Sequence, residues 1–181
     1  KDMKETAPEW KTLHMTLFEV TLPFGSKGDD RPLREVLSSM EQFYAGIVES
    51  PKSAKKNHFT LEIAVESHLE HATVYCAVPT ERKELFEKQL LSLFPQAHII
   101  ETHNDYNIFS ESGASAVSVA TYVSSPAYSL KTYELFDHDP LNVTLSSFAK
   151  LAPQGEGAAL QVLVRPAALP YADKFKGALQ K

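Results

Sequence analysis

The sequence predicts an α+β domain of the ferredoxin-like, split βαβ kind: an antiparallel sheet with helices on one face. Three observations carry this. Residues 13–102 read in the order strand, helix, strand, strand, helix, strand. Within that run Phe59, Leu61, Ile63 and Val65 alternate with Thr60, Glu62 and Ala64, the period of a half-buried strand. Further on, Tyr128–Arg165 reads strand, helix, strand, with an Asp-Pro helix start and a Gln-Gly-Glu-Gly turn. This last block leaves two arrangements open, a second lobe of the same kind or an extension of the first sheet. The expected divisions are a polar lead-in at 1–12, the ferredoxin-like lobe at 13–102, a connecting loop at 103–115, and the second lobe or extension at 116–181.

In chain order, Trp10 stands ready to cap the first core layer. Leu13–Leu22 is apolar on both faces and so predicts a central, covered strand. After the loop Pro23–Asp30, Leu33, Val36, Leu37, Met40, Phe43, Tyr44 and Ile47 form the apolar stripe of a helix. A polar connection with Lys52, Lys55 and Lys56 leads to the alternating strand. Ser67–Glu70 makes a short turn, and Ala72–Val78 returns antiparallel as a hairpin.

Pro79 and Thr80 open a second helix, with Glu81 and Glu84 in its first turn, where the macrodipole favours acids. Leu85, Phe86, Leu90, Leu93 and Phe94 are its expected buried side, and Pro95 ends it. Ala97–Glu101 predicts a short strand, as do Val117–Val123 and Ser129–Phe136. Asp139 as N-cap and Pro140 in the first turn start a helix carrying Leu141, Leu145, Phe148 and Leu151. Pro153 and Gly155 stop it, and Ala159–Arg165 forms the last strand. Tyr171, Phe175 and Leu179 recur at four-residue spacing and begin a helix in the tail.

Composition narrows the chemistry. Of 181 residues, 43% are hydrophobic and 23% charged, an ordinary globular balance. The net charge of −5 argues against a broad phosphate-binding surface. The single cysteine, Cys76, excludes an internal disulfide, and its apolar neighbours Val74 and Val78 mark it as a small core residue. No apolar run approaches the roughly 20 residues of a membrane helix. The polar opening and the amphipathic ending read as those of a piece of a longer protein.

Each reactive cluster has an ordinary explanation. Glu66, His68, Glu70 and His71 crowd a hairpin turn; His68 and His71 are the metal candidates, but polar residues collect at a solvated turn in any case. Glu101, His103 and Asp105, and His138 between Asp137 and Asp139, could supply acid–base pairs only if the fold brought a partner close. Gly155, Glu156 and Gly157 lack the Lys-Ser/Thr pair and following helix of a phosphate loop and read as a turn. Asn142 begins a glycosylation sequon, but it lies inside a predicted helix. Phe59 and Tyr75 lie on strands where RNA binders place stacking aromatics, yet TVYCAV lacks the basic glycine-containing motif. No catalytic residue, cofactor or metal site follows from these patterns.

The ordered run does resemble a known arrangement. A helix with adjacent aromatics, Phe43 and Tyr44, precedes a strand with Leu61, Glu62 and Ile63; a helix then ends at Phe94-Pro95. Thr132 and Tyr133 lead to Asp139, Pro140 and Leu141, and these to Gly155, Glu156, Gly157, Gln161, Arg165 and Pro166. Over residues 13–167 this is similar to the accessory domain that precedes the motor in bacterial type IV secretion and conjugation ATPases. The resemblance implies a non-catalytic domain at the cytoplasmic face of the membrane. It implies membrane helices upstream and a P-loop ATPase downstream, and protein partners: the ATPase domain of the same chain or secretion-system subunits. A stand-alone nucleic-acid-binding module and a small enzyme using the His and carboxylate clusters are the rival readings.

Overall fold

The computed structural model describes residues 14–22, 33–47, 58–66, 71–103, 108, 112–121, 123, 130–152 and 155–164. Five strands form one antiparallel sheet: β1 (Met15–Thr21), β2 (Phe59–Val65), β3 (Thr73–Pro79), β4 (His98–Thr102) and β5 (Ala158–Val164). Their order across the sheet is β4-β1-β3-β2-β5. Among the described residues three α-helices accompany them: α1 (Leu33–Ile47), α2 (Lys83–Leu93) and α3 (Asn142–Phe148). The last strand therefore extends the sheet of the first four, alongside β2. No helix among the described residues is long and apolar enough to cross a membrane.

Register assigns the faces. Phe18 lies opposite Cys76, and Cys76 opposite Leu61, so one row crosses β1, β3 and β2 on the same side. Facing residues in an antiparallel pair share a face. On this side Phe18, Val20, Phe59, Cys76 and Val78 join Phe43 of α1 and Phe86 and Leu90 of α2 in a single core. Phe18 stacks on Phe86 at 5.1 Å between ring centroids, and Phe43 meets Phe86 edge-on at 5.9 Å. Tyr44 stacks on Phe59 at 6.3 Å. Each such buried side chain contributes roughly 1.5–3 kcal/mol through lost apolar exposure.

The ends of β1 and β3 are clasped by threonines. The Thr80 backbone N–H and hydroxyl both donate to the His14 carbonyl, at 3.0 and 3.1 Å. The buried Thr16 hydroxyl donates in turn to Thr80 Oγ1 at 3.0 Å, so its polar atom is not stranded. The 3₁₀ turn Thr80–Arg82 then feeds α2, whose last turn closes when Phe94 N–H donates to the Leu90 carbonyl.

Several expectations are corrected. Val117–Val123 forms no strand over its described residues, and Val119 is 81% exposed. Ser129–Phe136 holds a 3₁₀ turn at Tyr133–Leu135 over its described part, not a strand. Both segments have apolar β-formers, but their described residues pair with no strand of the sheet, and strand propensity without pairing does not make a strand. Leu85 points to solvent rather than into the core, and Leu141 is exposed as well. Helix α3 begins at Asn142, one turn after the Asp-Pro signal: the Leu141 N–H donates to Asp139 Oδ1 at 2.9 Å and starts the turn that leads in. Trp10, the Lys52–Lys56 stretch and the tail from Pro170 lie outside the described residues.

Candidate functional site

The face of the sheet away from the helices carries a polar row. Ile100, Glu19, Tyr75, Glu62 and Gln161 are consecutive register partners across all five strands. Gln161 Nε2 donates to Glu62 Oε2 at 2.9 Å. The Tyr75 hydroxyl donates to Glu66 Oε1 at 2.6 Å, a short bond to an ionised acceptor. Tyr75 is only 5% exposed although it is outside the helix-covered core. Burial, the bond to Glu66 and the charges of Glu66 and Glu19 together hold its phenol well above the ordinary tyrosine range. The row is thus neutral tyrosine among carboxylates: it offers hydrogen-bond acceptors and negative charge.

Cys76 is buried between the helices and the sheet, and that burial pushes its thiol from an ordinary 9.0 up to about 12. A thiol so held is not a nucleophile at neutral pH. At the β4 edge Lys83 Nζ pairs with Glu101 Oε2 at 3.1 Å, so Glu101 has a structural partner. Among the other sequence candidates, His71, His103 and His138 are exposed, Asp137 pairs with Lys131 at 3.3 Å, and Asp139 accepts the helix-leading N–H. His68, Glu70 and Asp105 lie outside the described residues. No group of three metal-ligating side chains converges among the described residues.

The Gln-Gly-Glu-Gly signal resolves into a turn whose parts each have a use. Gly155 takes φ +96°, the left-handed region where a side chain is strained. Glu156 Oε2 accepts the Ala152 N–H at 2.8 Å and ties the turn to the end of α3. A Cβ on Gly157 would lie 3.1 Å from the backbone oxygens of both Val65 and Ile108. The turn thereby delivers β5 to the β2 edge in register.

An open cleft of about 490 Å³ lies between α1 and the Tyr133–Leu135 turn, lined by Arg34, Ser38, Glu41, Thr132, Tyr133 and Glu134. Arg34 and Glu134 approach to 3.9 Å across it, both largely solvated, which is worth little. Lost solvent and the Glu41 and Glu134 carboxylates raise the Tyr133 phenol, against a smaller opposing pull from Arg34.

The most distinctive surface is the β5 rim. Among the described residues β5 pairs with β2 on one side only and ends the sheet. Its sequence AALQVLV holds no charge and no proline. Val162, on the helix side, is 50% exposed, and Leu163, on the polar side, is 56% exposed. The opposite edge is dressed differently, with Glu101 in β4 and Lys83 paired to it. Edge strands usually carry such charges to discourage pairing, and β5 carries none. Sequence reasoning placed this strand but not its exposure, since a run apolar on both faces ordinarily signals cover. Comparisons with protein-family models, curated proteins and solved structures give no match to this chain.

Proposed function

We propose that the chain is a non-catalytic accessory domain of the type IV secretion and conjugation ATPase kind, working by protein contact through the β5 rim. The observation that carries the contact reading is the uncharged, apolar β5 edge, paired on one side only among the described residues, with Val162 and Leu163 in solvent. Exposed apolar residues along an unpaired strand are the usual mark of a surface that another chain covers. The order β4-β1-β3-β2, with α1 and α2 packed on one face, supports a ferredoxin-like reading of the fold, to which β5 is added as an outer strand. In this reading the partners are the ATPase domain of the same polypeptide or subunits of the secretion assembly, at the cytoplasmic face of the membrane.

The electrostatics weigh against the nucleic-acid alternative. In that alternative the sheet face opposite α1 and α2 would stack bases, yet here it presents Glu19, Glu62 and Glu66 around a buried tyrosine. Carboxylates in that position repel phosphate, where binders of this kind place Lys and Arg.

The test reads the coding sequence on both sides of these residues and assays the purified chain for ATP hydrolysis. The proposal expects a downstream GxxxxGK[ST] between a strand and a helix, apolar spans of about 20 residues upstream, and no hydrolysis by the chain alone. An open reading frame that starts and stops at this domain, or turnover of ATP by the isolated chain, would contradict it.

A further inference from the structure

We infer that the β5 rim pairs with the β5 rim of a second copy of this chain, antiparallel and centred on Gln161. The inference deepens the contact reading above, on which it rests, by naming the occupant of the rim. An edge strand directs alternate backbone N–H and C=O groups outward as an unfilled ladder, and an antiparallel strand fills it. A two-fold through Gln161, the middle residue of the seven in β5, sets Leu160 against Val162, Ala159 against Leu163 and Ala158 against Val164.

Three features of that register favour the strand's own copy over an arbitrary strand. First, the alanine at each outer position meets a larger valine or leucine, so the exposed Leu163 is set against the small Ala159, while Val162 meets the apolar Leu160. Second, no like charges come opposite one another, since β5 has no charged residue; a strand with even one lysine near its centre would repel itself. Third, the two Gln161 side chains face each other. Each uses one amide N–H on Glu62 and retains an oxygen and a second N–H for its counterpart.

The faces agree as well. Leu160 and Val162 both lie on the helix side, through their register with Ile63 and Leu61. Pairing them keeps the α1 and α2 layers of both copies on one side of a continuous antiparallel sheet of twice five strands. The polar rows meet end to end at Gln161 on the other side.

Sedimentation equilibrium of the wild-type chain over a concentration series tests this, beside Leu163→Lys and a milder Leu163→Thr. Circular dichroism and thermal unfolding of each variant establish that the sheet is intact. The expected result is a wild-type mass rising reversibly from 20.1 kDa toward twice that value. Leu163→Thr dimerises more weakly, and folded Leu163→Lys stays monomeric. An isotope-filtered NOE between Gln161 residues of labelled and unlabelled copies supports the same register. A wild type that remains monomeric throughout, or a dimer that folded Leu163→Lys leaves unchanged, overturns the inference. A monomeric wild type still leaves the rim open to a different protein, so the loss of this inference is distinguishable from the loss of the contact reading.

Discussion

The Tyr75 hydroxyl donates to the Glu66 carboxylate at 2.6 Å, and it does so on the side of the sheet opposite α1 and α2. A tyrosine that is almost fully buried there, with Glu19 and Glu62 as its register neighbours, anchors the polar row to β2 and β3. Tyr75→Phe keeps the ring and removes the bond, while Glu66 is partly exposed and can return to water. The expected loss is roughly 1.5–3 kcal/mol, the range for a bond to a charged group, read from urea unfolding near neutral pH. Because the folded phenol is raised above its unfolded value, its contribution is present below about pH 10 and is lost as pH climbs above it. The phenylalanine variant therefore loses less stability than the wild type on going further alkaline.

Cys76 gives a second alkaline signature that begins earlier. Its thiol is raised from 9.0 to about 12 in the folded chain, so the neutral form is the one folding favours. Its contribution is full below about pH 9 and declines as pH passes from there toward about 12. Cys76→Ala is less stable at neutral pH because it leaves a small cavity, yet its stability falls less steeply between those limits. A thiol reagent at pH 8 should label the native chain slowly and the urea-unfolded chain at once.

The stacked pair Phe18 and Phe86 joins the central strand to α2. Phe18→Ala should cost about 3–5 kcal/mol, the range for emptying a buried aromatic position. The double variant with Phe86→Ala should cost less than the sum of the single variants. Rings 5.1 Å apart share part of their stabilisation, and chemical denaturation of the four proteins measures that shared part.

Two glycines make opposite predictions. Gly46 lies in α1, and an added Cβ would meet the Gln89 side-chain amide at 2.8 Å. That amide is the movable end of a side chain whose Oε1 is already buried without a hydrogen bond. Gly46→Ala should thus be close to neutral or stabilising, since alanine gains up to about 1 kcal/mol of helix propensity. At Gly157 the obstructing atoms are backbone carbonyls of Val65 and Ile108, so Gly157→Ala should cost roughly 1–3 kcal/mol and loosen β5 from β2. Thermal unfolding of the two variants side by side separates a side-chain clash from a backbone one.

The Phe59–Val65 strand and the two long helices were legible because each repeats its period. Phe59–Val65 alternates, and Val36, Met40, Phe43 and Ile47 recur by helical turns. The Asp-Pro and Gly-Glu-Gly signals were legible too, because turn chemistry is local: Asp139 and Glu156 each hold a backbone N–H within four residues. What sequence could not supply was non-local. Val117–Val123 has the composition of a strand, yet its described residues join no ladder, and no local pattern says whether a partner strand is within reach. Tyr75 was identifiable as a structural aromatic, but its bond to Glu66 follows from the β2–β3 register, which no local pattern encodes. The β5 rim was hidden for the same reason, since an apolar strand does not announce which of its neighbours is missing.

The most direct test of the contact reading is amide hydrogen exchange on residues 158–164, compared between the isolated chain and the protein as the cell assembles it. In the isolated chain at low concentration the outward-facing amides of β5 should exchange quickly, while those bonded to β2 are protected. In the assembled protein the outward amides should slow markedly, with β4 little changed. Equal exchange at β5 in both states would show that nothing covers the rim and would contradict the account.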